Sequence, residues 1–317
     1  MITLFQNSFP GVFDPWSLKE EISFCNSAGE CGYERLKDFG ILLVNGSIGD
    51  IEIAKNGYCI NPCNTAIAYS NEGPKVLPDY YDKVRNQDFL SAFIGIDTNP
   101  EYLTKIFGKH IQNIYQSGCC APFNYITNWA NKQNFCAVFT RITDTKFDRY
   151  SKYDLAPQKK EIVNSAYSYF GENFHIYGTG FPHCSTFFGE VGSNTNWQQN
   201  KLDRLAQYKF NMCIENSDFD RYVTEKIMHA LIARSIPIYF GTESVKKLIP
   251  KELFINIRDF ETYDDCWNYV RSLSEQRIQS MIADIDNFVR DSKNTYLIDS
   301  LRWADEIVRL CKDKGII

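Results

Sequence analysis

The sequence predicts an α/β protein of two domains, the second of them doubly wound. Three observations predict this. The chain has 317 residues, more than one average core, so two domains of roughly 130 to 180 residues with a cleft between them are expected. Short β-rich runs alternate with amphipathic stretches. Residues 135–181 then read as strand, helix and strand, the last ending in glycine-rich HIYGTGF, which is a β-α-β unit.

Taken in order, FGILLV and TAIAYS are two buried strands within residues 36–72, the first followed by the turn-forming NGSIGD. FLSAFIGI is a further apolar piece, and EYLTKIFGKHIQNIY has helical spacing at Leu103, Phe107 and Ile111. The apolar pattern lapses around GCCAPFNYITNWANKQ, which sets a boundary near residue 131 and domains of 1–131 and 132–317. FCAVFTRI (135–142) is a strand and EIVNSAYSYF a helix. GSNTNWQQNKL reads as a polar connection. Residues 208–260 then give strand YKFNMCIEN, loop SDFDRYV, helix TEKIMHALIARS, strand IPIYFG, a polar segment and strand LFINIRDF. In that helix Ile227, Leu231 and Arg234 share one stripe. In TYLIDSLRWADEIVRLCK, Leu297, Leu301, Ala304, Val308 and Cys311 fall in register for a docked amphipathic helix.

Composition narrows the function. A hydrophobic fraction of 44%, with 23 Phe, 19 Tyr and 5 Trp, is enough for sizeable cores, and a net charge of -5 provides no basic field for a nucleic-acid backbone. No run approaches the ~18 apolar residues of a membrane helix, and MITLFQNSFPGVFDPW has neither a basic nor an apolar leader region. A cytoplasmic protein, at most peripheral to a membrane, is expected. The 11 cysteines read as reduced, mostly buried thiols; Cys25, Cys31, Cys59 and Cys63 lack the paired short spacings of a zinc site. His110, His175, His183 and His229 form no ligand spacing, and Asp144 has no D-x-D partner, so no metal is expected to hold a diphosphate.

In an open α/β sheet the ligand crevice lies beyond the carboxyl ends of the strands, where helix N-termini present N–H groups to anions. The loop after YKFNMCIEN occupies that position. It gathers Asn216, Tyr222, Glu225 and Lys226: an amide, a phenol, a carboxylate and a cation suited to a nucleotide diphosphate and its hydroxyls. Taken alone, the same residues also fit a bland helix start, with Glu225 complementing the helix dipole and Lys226 solvated.

Residues 208–260 resemble the donor-binding signature of the α-1,3/4-fucosyltransferases of glycosyltransferase family 10: YKF, an FEN-type triplet, Y-x-TEK, a P-x-x-x-G strand and a strand ending in DF. The resemblance implies a GT-B fold, two Rossmann-like domains facing a central cleft, with a GDP-sugar on the C-terminal domain and a glycan acceptor on the N-terminal one. It implies donor-site roles for Lys209, Asn216, Tyr222, Glu225 and Lys226. The cation that the family places on the helix after the first strand of this domain, usually Arg, falls on Lys160 or Lys159 in APQKKEIV. A lysine lacks the bidentate fork of arginine. In AYSNEGPKV, Glu72 falls on the family's general base, although only Glu and Pro coincide; Gly178 and Gly180 of HIYGTG either let backbone approach the donor or simply make a tight turn. The expected reaction is metal-independent, inverting transfer of L-fucose from GDP-β-L-fucose to a glycan hydroxyl, α-1,3 to an N-acetylglucosamine-type sugar. The alternatives are a GT-B transferase using another nucleotide sugar and a non-catalytic carbohydrate-binding relic.

Overall fold

The computed structural model describes residues 5–6, 39–45, 65–69, 88, 90–94, 110–111, 128–142, 153–181, 184–190, 197–220, 222–291, 293–294 and 300–317. The chain divides into two compact units, Met1–Cys120 with Tyr296–Ile317, and Ala121–Thr295. Each carries a five-stranded parallel sheet, so the expected α/β class is observed in both.

In the first unit the strands β1 (Phe5–Gln6), β2 (Ile41–Asn45), β3 (Thr65–Tyr69), β4 (Ala92–Ile94) and β5 (His110–Ile111) lie side by side in chain order. Ile41, Ala66, Ile67 and Ala92 are fully buried, as continuous apolar runs in a parallel sheet should be. Ile111, expected on a helical stripe, is instead in β5, paired with Ile94; Leu103 and Phe107 lie outside the described residues. A closing helix, Ser300–Asp313, belongs to this unit. It buries Ala304, Ile307, Val308 and Cys311. Its Lys312 ammonium stands 4.7 Å over the Phe39 ring, and just beyond it the Ile316 carbonyl accepts from Thr65 Oγ1 at 3.4 Å.

The division therefore differs from the expected domains of 1–131 and 132–317 in two ways, and each has a local cause. Trp129, in a 3-10 turn, donates Nε1 to the Lys209 carbonyl at 3.2 Å and packs edge-on to Phe210, which ties residues before 131 to the second sheet. The closing helix has its partners on Phe39 and beside Thr65.

The second unit runs β6 (Asn134–Arg141), α1 (Ala156–Phe170), β7 (Phe174–Thr179), α2 (Trp197–Leu205), β8 (Tyr208–Ile214), α3 (Glu225–Ile232), β9 (Ile236–Phe240), β10 (Ile255–Asn256), α4 (Tyr263–Ser272) and α5 (Glu275–Arg290). The sheet order is β10-β9-β8-β6-β7, all parallel. This is a doubly wound sheet, and its winding reverses between β6 and β8. The segment taken as a polar connection is α2 from Trp197 onward. Polar Gln198 and Lys201 share its buried face with Leu202 and Leu205, which hides the apolar period. LFINIRDF holds only a two-residue strand between 3-10 turns at Lys251–Leu253 and Ile257–Asp259.

Among the described residues Cys136, Cys213, Cys266 and Cys311 are buried free thiols and Cys184 is half-buried; the four candidate zinc cysteines lie outside them. No helix among the described residues is long and apolar enough to cross a membrane.

Candidate functional site

Where the winding of a parallel sheet reverses, the loops leaving the two central strands part and open a crevice at their carboxyl ends. Here those strands are β6 and β8. β8 is buried almost throughout and delivers Glu215, which is completely buried, at its end. A carboxylate there requires donors. Its Oε1 accepts from the Thr224 amide at 2.9 Å, and its Oε2 from Thr224 Oγ1 at 2.8 Å and Lys226 Nζ at 3.1 Å. Lys226 also donates to Thr224 Oγ1 at 2.9 Å. Thr224 is the N-cap residue of α3, yet its hydroxyl makes no bond to the helix amides because Glu215 and Lys226 engage it.

Glu225 opens α3 with its carboxylate 3.7 Å from Lys201 Nζ of α2 and 4.0 Å from Lys226 Nζ; its side chain is 19% exposed. Burial pushes this carboxyl up, but Lys226 and Lys201 outweigh it and hold the group well below the usual carboxylate range. His229, one turn on and fully buried, is pulled down to about 3 by burial and by Lys201, so its imidazole is neutral at physiological pH.

From the β6 side, α1 contributes Lys159, only 2% exposed, with Nζ 2.8 Å from Asn216 Oδ1 and 3.3 Å from the Arg141 carbonyl. Backbone bonds join the two loops: Leu155 N donates to the Asn216 carbonyl at 3.2 Å and Asp218 N to the Tyr153 carbonyl at 2.8 Å. From the far side, Arg258 stacks on Phe240, donates Nε to the Gly241 carbonyl at 2.9 Å and meets Asp218 at 2.6 Å. The edge thus concentrates cations and amide groups around two ordered carboxylates, an arrangement that can hold an anion and its neighbouring hydroxyls.

Of the residues predicted from sequence, Asn216, Glu225 and Lys226 are together at this edge. Tyr222 is completely buried beneath the loop, its amide donating to the Phe219 carbonyl at 3.1 Å. Lys209 is the second residue of β8 while Asn216 follows its end, roughly 23 Å away at ~3.3 Å per residue, and the Lys209 ammonium stands 5.1 Å over the Trp129 ring. Lys160 is exposed on α1; the lysine that reaches Asn216 is Lys159. Gly178 has φ +133°, and a Cβ there would collide with the Thr140 carbonyl of β6, so the close approach of two strands already accounts for this glycine. Glu72 lies outside the described residues.

Glu215, Lys201 and Arg258 were not singled out from the sequence. An acid ending an apolar strand was the available signal for Glu215, whereas Lys201 could be found only once α2 was recognised. Among the described residues no cluster of His, Cys, Asp and Glu could hold a metal ion.

The description "Glycosyltransferase family 10 (fucosyltransferase) C-term" matches residues 150–281. The alpha-(1,3)-fucosyltransferase FucT of Helicobacter pylori is 32% identical over 140 residues, covering 44% of this chain and 28% of that protein. An alpha-(1,4)-fucosyltransferase of Arabidopsis thaliana is 31% identical over 98 residues, covering 31% and 24%. The matched stretches thus span about a quarter of the length of these relatives. A solved structure of an alpha1,3-fucosyltransferase with GDP is similar at 19% identity, covering 76% of this chain and 81% of that one, with a TM-score of 0.45. Residues 150–281 contain β7 to β10, the Asn216–Lys226 loop and both lysines that face Asn216 and Glu225, so the stretch that carries the site is the one that is similar to the fucosyltransferases of glycosyltransferase family 10.

Proposed function

We propose that this protein is an inverting fucosyltransferase that moves L-fucose from GDP-β-L-fucose to a glycan hydroxyl, in α-1,3 linkage to an N-acetylglucosamine-type sugar. The observation that carries this reading is the coincidence of the family match over residues 150–281 with the charged edge at the β6/β8 reversal. In this reading the assembly is GT-B, with the donor on the second unit and the acceptor on the first. Lys226 and Lys159 contact the diphosphate, Glu225 takes ribose or sugar hydroxyls, and Asn216 orients Lys159. Because cations already line the edge, charge on the departing GDP is balanced by side chains and no metal is required. Glu72 is the proposed general base, removing the acceptor's proton as its oxygen attacks the anomeric carbon; a single displacement inverts that centre.

Calorimetry against GDP, UDP, ADP and CMP without added metal tests the donor, and transfer from GDP-fucose to a glycan array tests the reaction. GDP should bind best, and fucose should appear on N-acetylglucosamine-containing glycans. UDP binding tenfold tighter than GDP would overturn the donor assignment.

A further inference from the structure

Tyr239, in β9, is completely buried. Its hydroxyl forms no hydrogen bond of ordinary geometry. Burial and then the charge of Glu215 push the phenol well above its usual range, with the Thr242 amide directed at the oxygen in opposition. That amide can serve only the oxygen, so the hydroxyl's own proton has no acceptor. Buried hydroxyls in this state are uncommon, because an unmade bond inside a protein is unfavourable.

What the hydroxyl faces is informative. A Cβ on Gly241 would overlap the Tyr239 hydroxyl and lie 2.8 Å from Glu215 Cγ. The tyrosine hydroxyl and the glutamate side chain therefore flank the same point beside a backbone carbon that bears no side chain. The Glu215 carboxylate has the three donors described above, and one of them is Lys226. An ammonium offers three protons; Glu215 and Thr224 engage two of those on Lys226. If Lys226 turns to an incoming diphosphate, a fully buried carboxylate loses its cation and needs another donor.

We propose that Tyr239 is a positioning residue, whose hydroxyl donates to Glu215 when Lys226 leaves that carboxylate for the diphosphate of the donor. The inference rests on the reading of Lys226 as a phosphate contact. Tyr239 then stabilises the liganded state while contributing nothing to the unliganded one, a combination that a purely structural tyrosine would not produce.

The test compares wild type, Tyr239→Phe, Lys226→Met and the double variant by thermal melting without ligand and by calorimetry with GDP. Tyr239→Phe should melt at or above wild type, since it removes an unpaired polar atom, yet bind GDP about five- to tenfold more weakly. Lys226→Met should also bind more weakly, and adding Tyr239→Phe to it should change the affinity no further, because no lysine remains to be replaced. The inference is overturned by GDP affinity unchanged in Tyr239→Phe, by a lowered melting temperature of that variant without ligand, or by losses that add in full. If wild type binds no GDP, the functional reading fails and takes this inference with it. If Lys226→Met weakens GDP binding while Tyr239→Phe binds like wild type, the tyrosine's role alone is rejected.

Discussion

Lys159 and Lys160 are adjacent in sequence and differ in fate: one is 2% exposed and the other faces solvent. The helix period explains this. Lys159 stands three, four and seven residues before Ile162, Val163 and Ala166, all fully buried, so it continues the apolar stripe of α1 by one more turn toward Asn216. That choice was legible in the sequence, had the stripe been extended backward through a charged residue. Burial of Tyr222 was not legible, because it depends on how the loop folds over Phe219. Lys159→Met should weaken GDP binding by about 1 to 3 kcal/mol, the size of a lost charge-assisted bond. Lys160→Met, an exposed substitution, should stay within about 0.5 kcal/mol of wild type. Calorimetry decides between the two lysines, and equal losses in both variants would count against the geometry.

Elements were readable where one face is apolar and the other polar, or where a strand is apolar throughout. Strands β6 to β9 and helices α1 and α3 fall in those classes, and their sequence bounds agree with the structure to within a few residues. α2 breaks the rule because Lys201 is turned inward to reach Glu225. Lys132 supports that packing from below: its ammonium donates to the carbonyls of Leu205, Ala206 and Ala233, tying together the carboxyl ends of α2 and α3. A cation at two helix carboxyl ends also meets both dipoles favourably. Gly178 is the element-scale counterpart on the sheet. Gly178→Ala should destabilise the protein by more than about 2 kcal/mol, since it imposes a positive φ on alanine and drives a Cβ into β6. Denaturant unfolding would show the loss, while GDP affinity of the folded fraction stays at the wild-type value. A stable variant with weakened GDP binding would return Gly178 to a role at the donor.

At the scale of the molecule, sequence predicted two α/β halves and a docked final helix, but an amphipathic stripe says only that a helix docks and not on which partner. The structure returns Tyr296–Ile317 to the first unit, so the second unit is a continuous stretch, Ala121–Thr295, set within a discontinuous one. On the proposed function, a chain truncated before Tyr296 should therefore bind GDP within about threefold of the full chain, because its second unit keeps every contact described above. Its first unit should become readily cleaved in limited proteolysis, having lost the cover of Ala304, Ile307 and Cys311. Protection of the first unit in that truncation would refute the assignment of the helix. The same connectivity sets a timetable during synthesis. Domains generally fold as the chain emerges, at about 5 to 20 residues per second, and the stretch that completes the first unit leaves the ribosome after everything the second unit needs. Within this sequence the second unit, Ala121–Thr295, is therefore complete in the emerging chain before Tyr296–Ile317 is available to close the core of the first.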